Sequence, residues 1–359
     1  MISEIQVERA NLAHIRALTR PEPDLDDGEV LARIDAFGLT ANNVTYGVAG
    51  DMIGYWRFFP AEGDWGIIPV WGFATVVRSR CAEVPVGERV YGFLPMASHV
   101  VLRPGSVTRG GFTDAAAHRQ ALPGLYNRYQ RVTGEPAALA ALEAERCTLF
   151  PLFTTAYVIT DLLADNDWFG ARQVLVLSAS SKTGLGLTNL LARVEGRPVR
   201  VVGATSPANT AFVRELGGCD EIVAYDDIGG LDPAVPTIVV DMAGSAKLLK
   251  AVHTHFAGAL VYSCSVGITH WSEGGPAGDM PGAKPAFFFA PGQIEKRDAD
   301  WGQGEIQRRA QVEGARIAGE IAGAVTVERI AGADAAAAVL GDLVAGRVSP
   351  RRLLMLSLA

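Results

Sequence analysis

The chain has 359 residues, of which 49% are hydrophobic and 20% charged, with a formal net charge of −7. This length accommodates two domains with separate cores, and an acidic balance without a basic cluster argues against nucleic acid as a partner. No apolar run reaches the ~18–20 residues of a membrane span, and the acid-containing start MISEIQVERANL is not a secretory leader. Cys81, Cys147, Cys219 and Cys264 form no C-x-x-C pair, which suits a reducing cytoplasm and gives no metal framework.

Residues 2–20 open with strand alternation and then mix periods. An acidic, Pro-containing loop follows over 21–28. Residues 29–37, EVLARIDAF, alternate well, as an antiparallel strand with one wet face does. Residues 39–50 read as a turn and a short helix. Six aromatics, Tyr55, Trp56, Phe58, Phe59, Trp65 and Trp71, crowd 51–72, which Pro60, Gly63, Gly66 and Pro69 interrupt. So much aromatic surface on a broken loop suggests a packed flap over a pocket, with a core plug as the alternative. A strand at 73–79, a turn at Val86–Gly87–Glu88 within 84–93 followed by another strand, and a segment at 99–104 complete a small β-rich region. Residues 105–150 hold a polar, Gly-rich loop and a helix at 137–146.

From residue 153 the pattern changes to α/β alternation. A helix over 153–170 precedes strand 173–178, helix 185–195, strand 199–203, helix 207–216 and strand 221–225. Strand 236–241, helix 245–256 and strand 258–264 follow, implying a doubly wound parallel sheet. A loop with Gly274, Gly275 and Pro276 covers 268–284. Beyond it are strand 285–290, helix 303–322 and a strand pair near 325–330 and 351–358, with an Ala-rich helix at 333–339 between them.

The chemistry concentrates in 172–206. A Val- and Leu-rich strand breaks into a Ser- and Gly-rich turn and then a helix carrying Leu187, Leu190, Leu191 and Val194. Strand, small-residue turn, helix, strand is the unit that seats a dinucleotide diphosphate at a helix N-terminus. The usual G-x-G-x-x-G is not kept: Ser178, Ala179, Ser180 and Ser181 fill its first positions, and only Gly184 and Gly186 remain. Serine hydroxyls and Lys182, with Thr183 beside it, can hold a diphosphate. A P-loop is not expected, because neither glycine that it requires precedes Lys182. The second strand ends in Gly203–Ala204–Thr205–Ser206, with no acid to hold the ribose hydroxyls of NAD, and this favours NADP.

Taken in order, several segments resemble the medium-chain dehydrogenase/reductase superfamily, in its zinc-free, quinone-oxidoreductase-like branch. They are VGERVYGF (86–93), TTAYVI (154–159), ARQVLVLSASSKTGLGL, FVRELGGCDEIVAYDD (212–227), IVVDMAGS (238–245), GALVYSCSVG (258–267) and the closing RRLLMLSL. The resemblance implies an α/β fold in which a Rossmann domain, 151–289, is inserted in a β-rich GroES-like catalytic domain, 1–150 and 290–359. It implies an active site in the cleft between the domains, with Tyr55, or else Tyr46, as proton donor. It places Thr155 beside the nicotinamide, Ser206 and Tyr225 at the 2′-phosphate, and Asp241, Ser263 and Ser265 along the cofactor. The family's usual lysine at the phosphate falls on Asn209. Homodimers are typical of the family.

The family's zinc ligand sets are missing, and His99 and His118 have no paired Cys or Glu at ligand spacing, so they read as ordinary polar residues. His253 and His255, two apart on a helix, are poor joint ligands. The expected protein is a cytoplasmic, zinc-independent, NADP(H)-dependent reductase of an enone, enoyl thioester or quinone. The alternative is a nucleotide-binding sensor or scaffold that kept the fold without the chemistry.

Overall fold

The computed structural model describes residues 1–266 and 280–358. The chain divides into a central unit, Leu149–Val325, and a split unit, Met1–Thr148 with Thr326–Ala359.

The central unit is built on six strands: β1 Gln173–Leu177, β2 Arg200–Thr205, β3 Glu221–Ala224, β4 Thr237–Asp241, β5 Leu260–Ser265 and β6 Pro285–Phe287. They pair in parallel in the order β3-β2-β1-β4-β5-β6. All five residues of β1 are buried, as a strand covered on both faces must be, and each buried Val or Leu contributes roughly 1.5–3 kcal/mol. Helices α1 Phe150–Asp165, α2 Lys182–Ala192, α3 Thr210–Leu216, α4 Ala246–Phe256, α5 Ala290–Trp301 and α6 Glu305–Ile321 complete the unit. One core cluster joins Leu175, Leu177, Val202 and Val239 of the sheet to Leu249, Val252 and Phe256 of α4. Strand order reverses direction between β1 and β4, and in such sheets ligands bind at the carboxyl ends beside that switch.

Two features depart from expectation. Helix α5 occupies residues for which no element was foreseen, and α5 and α6, assigned from sequence to the first domain, pack on α1 instead. The boundary therefore falls at Thr326 and not at 290. Arg297 of α5 reaches Asp161 at 2.7 Å and Asp165 at 2.8 Å on α1, and α6 buries the apolar face of Ile306, Ala310, Ile317 and Ile321. The loop expected over 268–284 lies mostly outside the described residues.

In the split unit, Ile2–Glu8 and Asn11–Arg20 form a hairpin, where the sequence showed only weak alternation. A nine-stranded sheet runs Thr326–Ala331, Arg352–Ser357, Val30–Leu39, Pro69–Ser79, Arg89–Pro95, Arg128–Arg131, Gly111–Asp114 and Pro104–Gly105, with His99–Leu102 paired on Val30–Leu39. Val30–Leu39 lacks the wet face its alternation suggested. Leu31 is fully buried against Ile2, Leu25 and Ala97, and only Arg33 and Asp35, bonded to each other, break the cover. The Rossmann sheet and β-rich unit match the expected fold class.

Candidate active site

Each unit brings together one group of the expected residues. In the central unit the chain leaves β1 at Ser178, whose φ of 58° is the left-handed conformation that favours glycine. Here serine adopts it, with the Tyr225 phenol close enough to interact with it. The Ser181 amide donates to the Ser178 carbonyl at 2.8 Å, which tightens the turn. Ser181 then caps α2, its hydroxyl accepting from the Gly184 amide at 3.1 Å. A Cβ on Gly184 would lie 2.4 Å from the Ser178 carbonyl oxygen, so this glycine is required by close approach. At Gly186 it would lie 2.5 Å from the Phe153 ring, where α2 crosses α1. The two retained glycines thus serve the turn and the helix contact, while the left-handed position is filled by serine.

Lys182 and Thr183 open α2, both partly covered. Loss of solvent pushes the Lys182 ammonium down to about 8. A cation at a helix N-terminus, next to three serines, has the donor set a phosphate requires.

At the end of β2, Thr205 is fully buried and donates to the Ser180 hydroxyl at 2.9 Å; Asn209 donates to the same oxygen at 3.3 Å. Ser206 follows, partly exposed. Tyr225 directly follows the neighbouring β3, its phenol raised by burial.

Asp241 ends β4 level with Leu177 of β1 and Ser265 of β5. It accepts the Ala243 and Gly244 amides at 2.9 and 3.0 Å, yet burial outweighs these bonds and lifts the carboxyl to about 6. Ser265 is buried beside it. Ser263 is turned inward: its hydroxyl lies 2.9 Å from His253 Nε2, while Nδ1 faces the Pro281 carbonyl at 3.0 Å. A carbonyl can only accept, so Nδ1 carries the proton and Nε2 accepts from Ser263. Burial lowers the His253 pKa, which keeps this core histidine neutral. The Thr155 hydroxyl donates to the Pro151 carbonyl of its own helix at 3.1 Å. Ser263 and Thr155 therefore have their side chains committed within the protein.

In the split unit, Tyr46 and Tyr55 stand with ring centroids 4.5 Å apart. The Tyr55 hydroxyl lies 2.9 Å from that of Tyr126, and Trp71 Nε1 donates to the Tyr46 hydroxyl at 3.3 Å. Burial raises the pKa of all three phenols. Phe58 and Phe93 interlock with them. The aromatic segment, expected as a packed flap or a core plug, is built into its own unit, with Phe58 fully buried and Trp56 nearly so.

Beneath it lies a buried ion pair. Arg119 and Asp114 are 1% and 2% exposed and 2.9 Å apart. Arg119 also donates to the Phe58 carbonyl at 3.2 Å and to the Tyr129 hydroxyl at 2.9 Å, and Tyr129 donates to the Phe93 carbonyl at 2.6 Å. Sequence reasoning missed Tyr126 and Arg119. Both lie in the polar 105–150 stretch, and neither has a periodic pattern to mark it.

Among the described residues, no group of three or more His, Cys, Asp or Glu is placed to hold a metal ion, and no helix is long and apolar enough to cross a membrane.

No curated protein matches the sequence. Solved structures with the same fold include CurA from Vibrio vulnificus in complex with NADPH, 13% identical, with 99% of each chain covered and a TM-score of 0.61. Mycobacterial Rv1454c complexed with NADPH is 16% identical over 99% of this chain and 100% of its own, with a TM-score of 0.58. The yhdH oxidoreductase from Salmonella enterica in complex with NADP is 16% identical over the whole of both chains, at 0.52. These likenesses show that the chain shares the fold of these proteins. A family model described as "Protein of unknown function (DUF2855)" matches residues 37–349, and the chain belongs to that family.

Proposed function

We propose that the protein is an NADP(H)-dependent, zinc-independent reductase of an activated C=C bond, as in an enone or enoyl thioester, or of a quinone. The observation that carries the reading is the turn from β1 into α2. A Ser181-capped helix N-terminus, a glycine that no side chain could replace, and Lys182 stand together at the switch point of a β3-β2-β1-β4-β5-β6 sheet. The donor set fits a dinucleotide: hydroxyls and an ammonium for the diphosphate, and hydroxyls without an acid at the end of β2 for a phosphorylated ribose. The NADPH and NADP named with CurA, Rv1454c and yhdH support the same choice.

When bound, NADPH supplies the hydride; the chain supplies placement and hydrogen bonds. Ser181 and Lys182 fix the diphosphate. Tyr55 and Tyr126 share one hydrogen bond, so one phenolic proton of the pair remains to donate. With pKa values raised by burial, these phenols stay protonated and stabilise a developing enolate oxygen by donating a hydrogen bond to it, and water supplies the proton that completes the reduction. The tyrosines' aromatic surround keeps that donor dry.

Titration with NADPH, followed by quenching of tryptophan fluorescence, tests the cofactor step. Saturable binding is expected, and turnover of an enone or quinone panel should then consume the reduced nicotinamide. Failure to bind either nicotinamide refutes the reading. Binding without turnover of any substrate in the panel favours the non-catalytic sensor.

A further inference from the structure

We propose that Ser180 and Asn209 form an uncharged selector for the ribose substituent of the dinucleotide, so that its phosphorylated and unphosphorylated forms are told apart by hydrogen bonds and not by a cation. The proposal rests on the NADP(H) reading above. The Ser180 oxygen accepts from Thr205 at 2.9 Å and from Asn209 at 3.3 Å. A hydroxyl oxygen has two lone pairs, and both are engaged, so the Ser180 proton is left to donate. Ser180 is 6% exposed and Thr205 fully buried, which fixes the donor in place. Thr205 directs its own proton to Ser180, leaving Ser180, the second amide hydrogen of Asn209 and the Ser206 hydroxyl as donors at the end of β2.

The chain that leaves β2 carries no charge up to Val213. An acid here would hold two ribose hydroxyls and repel a phosphate, while an arginine would pair with the phosphate. Residues 203–213 carry neither, nor any other charged side chain. The neighbouring β3 leads through Tyr225 into Asp226 and Asp227, both exposed, so the charge contributed from that side is negative. Lys182 belongs to the first turn of α2, where the diphosphate is expected. A phosphate-bearing ribose therefore gains neutral donors but no salt bridge, and its advantage over the phosphate-free form is modest.

The test is titration of the full chain with NADPH and with NADH over a range of salt concentrations. Both should bind, NADPH more tightly by about tenfold or less, equivalent to about 1.4 kcal/mol, and the ratio should hardly change with salt. Asn209→Lys should raise NADPH affinity roughly tenfold, leave NADH unchanged and make the ratio fall as salt rises. Ser180→Ala, with its melting temperature checked against the parent, should weaken NADPH selectively. A parent preference above ~100-fold that collapses in salt would overturn the selector, because a cation would then be reading the phosphate. So would an Asn209→Lys ratio equal to the parent's, or equal weakening of both nucleotides by Ser180→Ala. Binding of neither nucleotide overturns the cofactor reading itself.

Discussion

Arg119→Met is the most informative single perturbation of the split unit. Methionine fills much of the arginine volume, so the cavity term is small and the electrostatic one dominates. Asp114 keeps two acceptor bonds, from the Arg103 amide at 3.2 Å and the Ala116 amide at 3.0 Å, but Oδ2 loses its partner. The Phe58 carbonyl and Tyr129 hydroxyl each lose a donor. Breaking one side of a buried pair costs about 3–5 kcal/mol. For a unit of about 180 residues that is a fall in melting temperature of roughly 8–16 °C. Calorimetry is the assay of choice, because two units can melt separately and only the transition of the split unit should move. Asp114→Asn added to Arg119→Met should recover about half of the loss, since the stranded charge is then gone. A loss under about 1 kcal/mol, or no recovery in the double variant, would refute the reasoning that an ion pair anchors the Phe58 segment.

Three further outcomes are expected. Tyr55→Phe should lower turnover by about 10²–10³-fold, the range for losing one oxyanion donor, with NADPH affinity unchanged; unaltered turnover removes Tyr55 from the chemistry. Asp241→Asn keeps the oxygen that accepts the Ala243 and Gly244 amides but removes a carboxyl lifted to about 6. The folded pKa lies above the unfolded one, so ionisation costs stability as pH rises from about 4 through 6, and the variant should gain roughly 2–3 kcal/mol at pH 7 and almost nothing at pH 4. Chemical denaturation at both values checks this, and equal effects at the two would contradict it. Lys182, lowered to about 8, should be held protonated by a bound diphosphate. NADPH affinity should therefore fall as pH passes from about 7 to 9.5, and Lys182→Met should bind more weakly without that fall; a parent affinity flat over this range removes Lys182 from the site.

The legibility of the chain followed the kind of force holding each part. β1, β2 and β4 were readable from the apolar runs at their middles, since a strand covered on both faces keeps polar residues to its ends. Helix α5 was not, since its APGQIEKRDADW has little apolar stripe. It is fixed by Arg297 against Asp161 and Asp165, and by Trp301 lying between Arg297 and Arg309 at 4.5 and 4.3 Å. Periodicity does not report such attachments. The serine turn was visible, but its left-handed Ser178 was not, because serine gives no conformational warning where glycine would. Tyr126 escaped for another reason: its partner Tyr55 lies 71 residues away, and nothing local encodes that meeting.

The split unit also sets an order of events during synthesis. Leu39 pairs with Leu354, so the strand that docks on Val30–Leu39 leaves the ribosome after the whole central unit. At ~5–20 residues per second the intervening chain takes some tens of seconds to emerge. Over that interval the central unit is made and completed, while the earlier-made sheet presents the bare rim at Phe37–Leu39 where Arg352–Ser357 later docks. An open, apolar strand rim invites pairing with another nascent chain. Slow translation of the chain between Leu39 and Arg352 should therefore raise aggregation of the half-made protein, even though the finished fold has that rim covered.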